Sequence, residues 1–157
     1  LATLTGRFRL ALMVERKVPL PDTETHAAQH ASVRRAHETE LVEDYVELIG
    51  ELLDNLGEAR SVDIANRMGV SKATVANMVK RLGEQGLVEA EPYRSLFLTD
   101  AGWRMARQSR TRHAVVFEFL RAMGVSESTA RIDAEGIEHH VSEETLALMR
   151  EYIRSIR

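Results

Sequence analysis

The amino-acid sequence predicts a mainly α-helical protein in which an N-terminal winged helix-turn-helix domain is followed by an all-helical segment. Three observations carry this expectation. A long run of apolar residues recurs at helical spacing before Gly57, two short capped helices are joined by a tight turn, and two strand-like stretches follow, after which strand signals cease.

Residues 1–31 are the least defined part: they hold Pro19 and Pro21, show no clear period and are expected to form a loosely attached extension. His26 and His30 stand four apart, a spacing a metal can use, although solvated histidines are the simpler expectation. From Ser32 onward, Leu41, Tyr45, Leu48, Ile49, Leu52, Leu53 and Leu56 recur at helical intervals up to Gly57, a C-terminal stop. Ser61 is expected to cap a helix that buries Val62, Ile64, Ala65 and Met68 and ends at Gly69. Ser71 is expected to cap the next, with Val75, Met78, Val79 and Leu82 inward and an end near Gly86. The turn Gly69-Val70-Ser71 between them completes the helix-turn-helix pattern. Residues 87–90 and 96–98 read as strands around Pro92-Tyr93-Arg94-Ser95, which would make a wing. Thr99 and Asp100 then open a helix running through His113 and Phe117 toward Gly124. Ser126 opens another, and Ser142 caps a last one through Leu146, Met149 and Ile153. The expected organisation is an extension over 1–31, a winged domain over 32–98 and a helical domain over 99–157.

At 157 residues the chain can bury a real core, and a hydrophobic content of 44% fits a globular class. The absence of cysteine excludes disulfides and thiolate metal sites, so any bound metal must be held by oxygen and nitrogen. The longest apolar run near the start, residues 10–14, is too short to span a bilayer, and a cytoplasmic location with no membrane partner is expected. A net charge of −3 argues weakly against nucleic acid, but the sum hides a local excess. Residues 60–112 carry ten Lys/Arg against five Asp/Glu, a basic window that can face phosphates.

If the second short helix enters a major groove, its outward face should read bases from the N-terminal end. That face carries Ser71, Lys72, Ala73, Thr74, Asn77 and Lys80. Lys and Asn can hydrogen-bond base edges, and the methyl groups of Ala73 and Thr74 can touch a thymine methyl. Lys80, Arg81 and the wing residue Arg94 suit phosphates, since long cationic side chains fix position without reading sequence. An ordinary solvated face is the bland alternative.

A second group is chemically unusual. Glu135, Glu138 and His139 fall on one helical face, and so do Asp44 and Glu47 on the first long helix; His113 lies on the helix after the wing. Each pattern alone is weak, because surface helices often carry such triples.

Taken in order, Asp44-Tyr45-Val46-Glu47, Val62-Asp63-Ile64-Ala65, Thr74-Val75 with Met78-Val79, Arg112-His113 and Glu135-Gly136-Ile137-Glu138-His139-His140 resemble the manganese branch of the diphtheria-toxin-repressor family. The resemblance runs over about residues 38–155 and is specific only in combination. It implies a metal-activated, homodimeric winged-helix repressor of metal-uptake genes that binds double-stranded operator DNA, with the helices after the wing serving dimerisation. It also implies a binuclear site on Asp44, Glu47, His113, Glu135, Glu138 and His139, loaded with two Mn²⁺ per subunit and open to Fe²⁺, Co²⁺ or Zn²⁺. The extension before about residue 32 is longer than the shortest members carry, and resemblance to the manganese branch implies that the SH3-like domain of the iron-responsive relatives is not expected.

The donor chemistry fits independently. Four carboxylates and two neutral imidazoles offer four negative charges, which two divalent cations cancel, and oxygen with imidazole and no sulfur suits Mn²⁺. Because that site type binds Zn²⁺ more tightly than Mn²⁺, selectivity must come from geometry. Like charges at ~4 Å repel by about 1 kcal/mol in water and by several times more near a protein surface, so the empty site should be strained.

Two other classes compete. Two-metal carboxylate-histidine sites also hydrolyse esters and peptides. However, His37-Glu38-Thr39-Glu40-Leu41 lacks the second histidine of a zincin, His140-Val141-Ser142-Glu143-Glu144 lacks the closing histidine of the inverted form, and no Gly-rich phosphate loop is present. No enzymatic activity is expected. A winged-helix regulator sensing an organic effector is the other alternative, but no small organic ligand is expected.

Overall fold

The computed structural model describes residues 19–90 and 95–156, which form six helices and one two-stranded antiparallel sheet. The chain divides into two units, residues 1–32 and 33–157. Helix α1 spans Thr23–Leu56, which starts it nine residues before the apolar period does. Asp22 explains the early start: its carboxylate accepts from the Thr25 backbone N–H (2.9 Å) and from the Thr25 hydroxyl (2.7 Å). The following turns are mostly exposed and include Ala27, Ala28 and Ala31. They are helical by capping and propensity rather than by burial, so they leave no apolar stripe to read.

Within residues 33–157, the buried stripe of α1 is Val42, Tyr45, Val46, Ile49 and Leu52. Leu41 (44% exposed) and Leu56 (58%) lie at its margins, contrary to the expected inward face. Helix α2 covers Ser61–Met68 and begins with Ser61 itself. The capping position belongs to Arg60, which is extended and gives no side-chain cap, so the expected Ser61 cap is not formed. The residue before it is fixed by the wing instead: Leu96 N–H donates to the Ala59 carbonyl (2.8 Å), and Ala59 N–H donates to Ser95 Oγ (2.6 Å). Val62, expected inside, is 39% exposed. Gly69 ends α2 at φ +67, a left-handed conformation that glycine adopts without Cβ strain. Helix α3, Lys72–Glu84, is capped by Ser71, whose Oγ accepts from Thr74 N–H at 3.1 Å.

Strands β1 (Val88–Ala90) and β2 (Leu96–Leu98) pair antiparallel, Val88 against Leu98 and Ala90 against Leu96. The expected turn residues Pro92, Tyr93 and Arg94 lie outside the described residues. Helix α4, Asp100–Ala122, is capped by Thr99, whose Oγ1 accepts from Gly102 N–H (3.1 Å) and donates to the Gly86 carbonyl (2.7 Å). Gly102 permits this close seating, since a Cβ there would stand 2.2 Å from the Leu87 carbonyl oxygen. Helix α5 covers Glu127–Glu138 and helix α6 covers Glu143–Ser155, each with its expected serine cap, Ser126 and Ser142.

Two cores result. One joins α1 to α3, the wing and the start of α4 around Ile49, Ile64, Val75, Leu82, Leu98 and Ala106. The other joins the end of α4 to α5 and α6 around Val116, Ala134 and Leu146. Helix α4, about 35 Å long at 1.5 Å per residue, supplies both. No described helix is long and apolar enough to cross a membrane.

Candidate metal centre and reading helix

The carboxylates and imidazoles singled out above meet where α1 faces the end of α5 and the middle of α4. His113 Nδ1 lies 2.7 Å from Glu138 Oε2 and 3.7 Å from Glu135 Oε1. His139 Nε2 lies 3.1 Å from Asp44 Oδ1 and 3.7 Å from Glu138 Oε1. Glu138 therefore turns one oxygen to each histidine. A cavity of about 490 Å³ opens beside them, lined by Asp44, Glu47, Glu135 and His139 together with Glu40, Glu51, Arg67 and Met68. Glu47 faces the same space: the charges of Glu135 and His113 both act on its carboxyl.

Glu138 is the decisive member. It is 2% exposed, and its Oε2 is buried without an aligned hydrogen-bond donor. A buried carboxylate oxygen in that position is costly unless a cation accompanies it. Oxygen and imidazole donors without sulfur suit a hard or borderline divalent ion, so the residues fit such a metal. Burial, reinforced by Glu47, Glu135 and Asp44, pushes the Glu138 carboxyl up from its ordinary 4.5 to about 8 against the opposing pull of His139. Hydrogen bonds to Asp44 and Glu43 push the His139 imidazole up to about 10 from 6.5. The Glu47 carboxyl is also raised, by burial first, while a hydrogen bond from Ser109 works the other way.

The metal-free site thus holds protons where a metal would sit. Because both groups titrate above their unfolded values, the stability they lend the metal-free fold is complete below about pH 4.5 and 6.5 respectively. It fades as pH climbs through about 8 and 10. Metal and protons then compete. Mn²⁺ affinity is expected to rise steadily from pH 6.5 to 8.5, with protons released on binding at pH 7. Calorimetry in two buffers of different ionisation enthalpy reads that release, and equal heats in both buffers would contradict it.

Several partners were not anticipated from the sequence. Glu43 Oε2 accepts from His139 Nδ1 at 2.8 Å, which fixes the ring and leaves Nε2 for the cluster. The buried Ser109 supports Glu47. Arg112 donates to the Glu138 carbonyl from Nε (3.1 Å) and Nη2 (2.7 Å), reaches the Val141 carbonyl and pairs with Glu143, holding the end of α5 in place. Glu43 shares a helix with Asp44 and Glu47, but acidic residues on helices are too common to signal a role. Ser109 and Arg112 carried no spacing signal.

On α3, Ser71, Lys72, Ala73, Thr74, Asn77, Lys80 and Arg81 are all exposed, opposite the buried Val75, Met78 and Leu82. Lys80 stands 3.9 Å from Glu84. Arg94 lies outside the described residues. Among the six candidate ligands, Glu135 is the most open, with 72% of its side chain exposed.

Residues 37–96 match the N-terminal DNA-binding domain of the iron dependent repressors, and residues 99–157 match their metal binding and dimerisation domain. The chain belongs to the iron-dependent repressor family. Within this family it is 53% identical over 131 residues to the transcriptional regulator MntR of Escherichia coli O157:H7, covering 83% of this chain and 84% of that protein. It is 52% identical over 127 residues to MntR of Salmonella typhimurium strain LT2, covering 81% of each. Among solved structures it resembles a manganese-dependent transcriptional repressor in complex with manganese (TM-score 0.65, 29% identity, 71% of this chain and 52% of that one). It also resembles the manganese regulator SloR (TM-score 0.63, 27% identity, 71% of this chain and 53% of that one). The chain spans about half the length of those two structures. The family and these relatives are regulators of transcription, not enzymes.

Proposed function

We propose that this member of the iron-dependent repressor family is a manganese-dependent transcriptional repressor whose ion load governs its grip on operator DNA. Asp44, Glu47, His113, Glu135, Glu138 and His139 hold two divalent ions per subunit. The observation that carries this reading is Glu138, a buried carboxylate that sets one oxygen against each of two histidines. The bound ions supply the positive charge that lets five other donors and Glu138 coexist. Asp44 and Glu47 come from the helix that packs against α3, whereas His113, Glu135, Glu138 and His139 come from the helical pair beyond the wing, so loading ties the reading half to the other half.

Ser71, Lys72, Ala73, Thr74 and Asn77 face the base edges, and Lys80, Arg81 and Arg94 face phosphates. Exposed Ile132, Leu148, Tyr152 and Ile156 on α5 and α6 and beyond support a homodimer. The carboxylate lining of the cavity favours a cation over an organic effector, and a DNA partner makes the cytoplasm the site of action. The test is fluorescence anisotropy with operator DNA. Adding Mn²⁺ to chelator-treated protein is expected to tighten binding roughly 5- to 150-fold, the usual range of allosteric coupling. Unchanged affinity would refute the reading.

A further inference from the structure

Two histidines outside the centre just described also converge on one carboxylate. His37 Nδ1 lies 3.0 Å from Glu40 Oε2, and His140 Nε2 lies 3.7 Å from the same oxygen. The His37 and His140 rings are 4.8 Å apart, edge to face at 70°. One donor atom from each of the three residues falls within 4.8 Å of the others. His37 and Glu40 share a face of α1 because they are three apart. His140 arrives from the far end of the fold, immediately after the His139 cap of α5, its backbone N–H donating to the Ile137 carbonyl at 3.1 Å. The histidines that open two incomplete zincin-like strings in the sequence therefore meet in space.

We propose that His37, Glu40 and His140 form an accessory divalent-cation site, separate from the buried centre and open to solvent. Zn²⁺ bonds imidazole nitrogen and carboxylate oxygen at about 2.0–2.2 Å. Tetrahedral geometry then sets two such donors about 3.3–3.5 Å apart, a spacing bracketed by the 3.0 and 3.7 Å observed. The donor set decides the metal. Two imidazoles and one carboxylate favour zinc, cobalt or nickel over manganese, whereas the buried centre, with four carboxylates among six ligands, is the harder site. With 61% of the His37 side chain and 34% of the His140 side chain exposed, water completes the coordination and the ion exchanges readily. Glu40 also lines the cavity beside that centre. An ion here would join α1 to the α5–α6 junction a second time, at its outer edge.

The site stands independently of the ligand set proposed for the buried centre, and the experiment keeps the two apart. The full chain, stripped with chelator, is dialysed against Zn²⁺, and bound ions per subunit are counted by plasma mass spectrometry. Co²⁺ absorption bands report the coordination. The double variant His37→Ala, His140→Ala is expected to bind one Zn²⁺ fewer than the unsubstituted chain, with Mn²⁺ stoichiometry and circular dichroism unchanged. The same one-ion difference is expected in a Glu138→Gln background. An equal zinc count with and without the two histidines would overturn the proposal. So would a double variant that loses every ion, since the cluster would then belong to the buried centre. If Glu138→Gln loses nothing while the histidine pair still removes one ion, the accessory site stands and the buried ligand set fails.

Discussion

Replacing Glu138 by Gln is expected to move stability and metal response in opposite directions. The carboxyl is buried and raised to about 8, and no donor is aligned on its Oε2 although His113 Nδ1 stands 2.7 Å away. Gln keeps its shape and removes its charge, so the metal-free variant should be the more stable one. The gain should be a few kcal/mol above about pH 8, where the native carboxyl is ionised, and should vanish as pH falls below 4.5, where the group is protonated in both the folded and unfolded states. The same change removes one negative ligand that serves both histidines, and Mn²⁺ affinity should fall by more than about 100-fold, beyond the loss typical of an outer-sphere change. Thermal denaturation with chelator and with Mn²⁺ reads both effects at once. A variant that is less stable without metal, yet still gains as much from Mn²⁺, would contradict the assignment. Sites that bind a ligand through unsatisfied groups commonly carry this conflict between stability and function.

Arg112→Ala is expected to have the second large effect. The guanidinium is mostly buried, with 16% of its side chain exposed, and its donors close off two carbonyls at the end of α5 as well as pairing with Glu143. Hydrogen bonds from a charged donor contribute about 1.5–3 kcal/mol, and the carbonyls left behind have no other described donor. A loss of about 2–3 kcal/mol should appear as a lower urea midpoint at unchanged slope. Since the freed segment carries Glu138 and His139, Mn²⁺ affinity should also drop 10- to 100-fold, as for other residues that orient ligands. Arg112→Lys should restore little, because a single ammonium cannot span the carbonyls that the planar fork reaches. An unchanged midpoint and unchanged Mn²⁺ affinity in the Ala variant would rule out this positioning role.

The sequence was legible where the cause of structure is local. Ser71, Thr99, Ser126 and Ser142 each cap the helix expected of them because capping depends on a few neighbouring atoms. Ser61 misled because the start of α2 is fixed by Ala59 held against β2, a contact formed 36 residues away. The beginning of α1 was missed for the opposite reason: an exposed helix has no apolar period to detect. Among the cluster residues, the spacing of Asp44 with Glu47 and of Glu135 with Glu138 showed which side chains share a face. Nothing local could show that the two faces meet, and that expectation came from the resemblance. The contacts that Glu43, Glu40 and His140 make stayed hidden because they rest on the same long-range meeting.

That meeting has a consequence for the polymer itself. Glu43 and His139 touch although 96 residues of chain separate them. A covalent link across a loop of that size restricts the unfolded ensemble by about 4–5 kcal/mol. A metal held between the same helices is a detachable staple of similar span, and its removal releases the loop by breaking coordination bonds alone, with the chain left intact. The supply of ions would then set how far the molecule can breathe, and so how readily it is opened and degraded, in addition to whether it occupies a promoter.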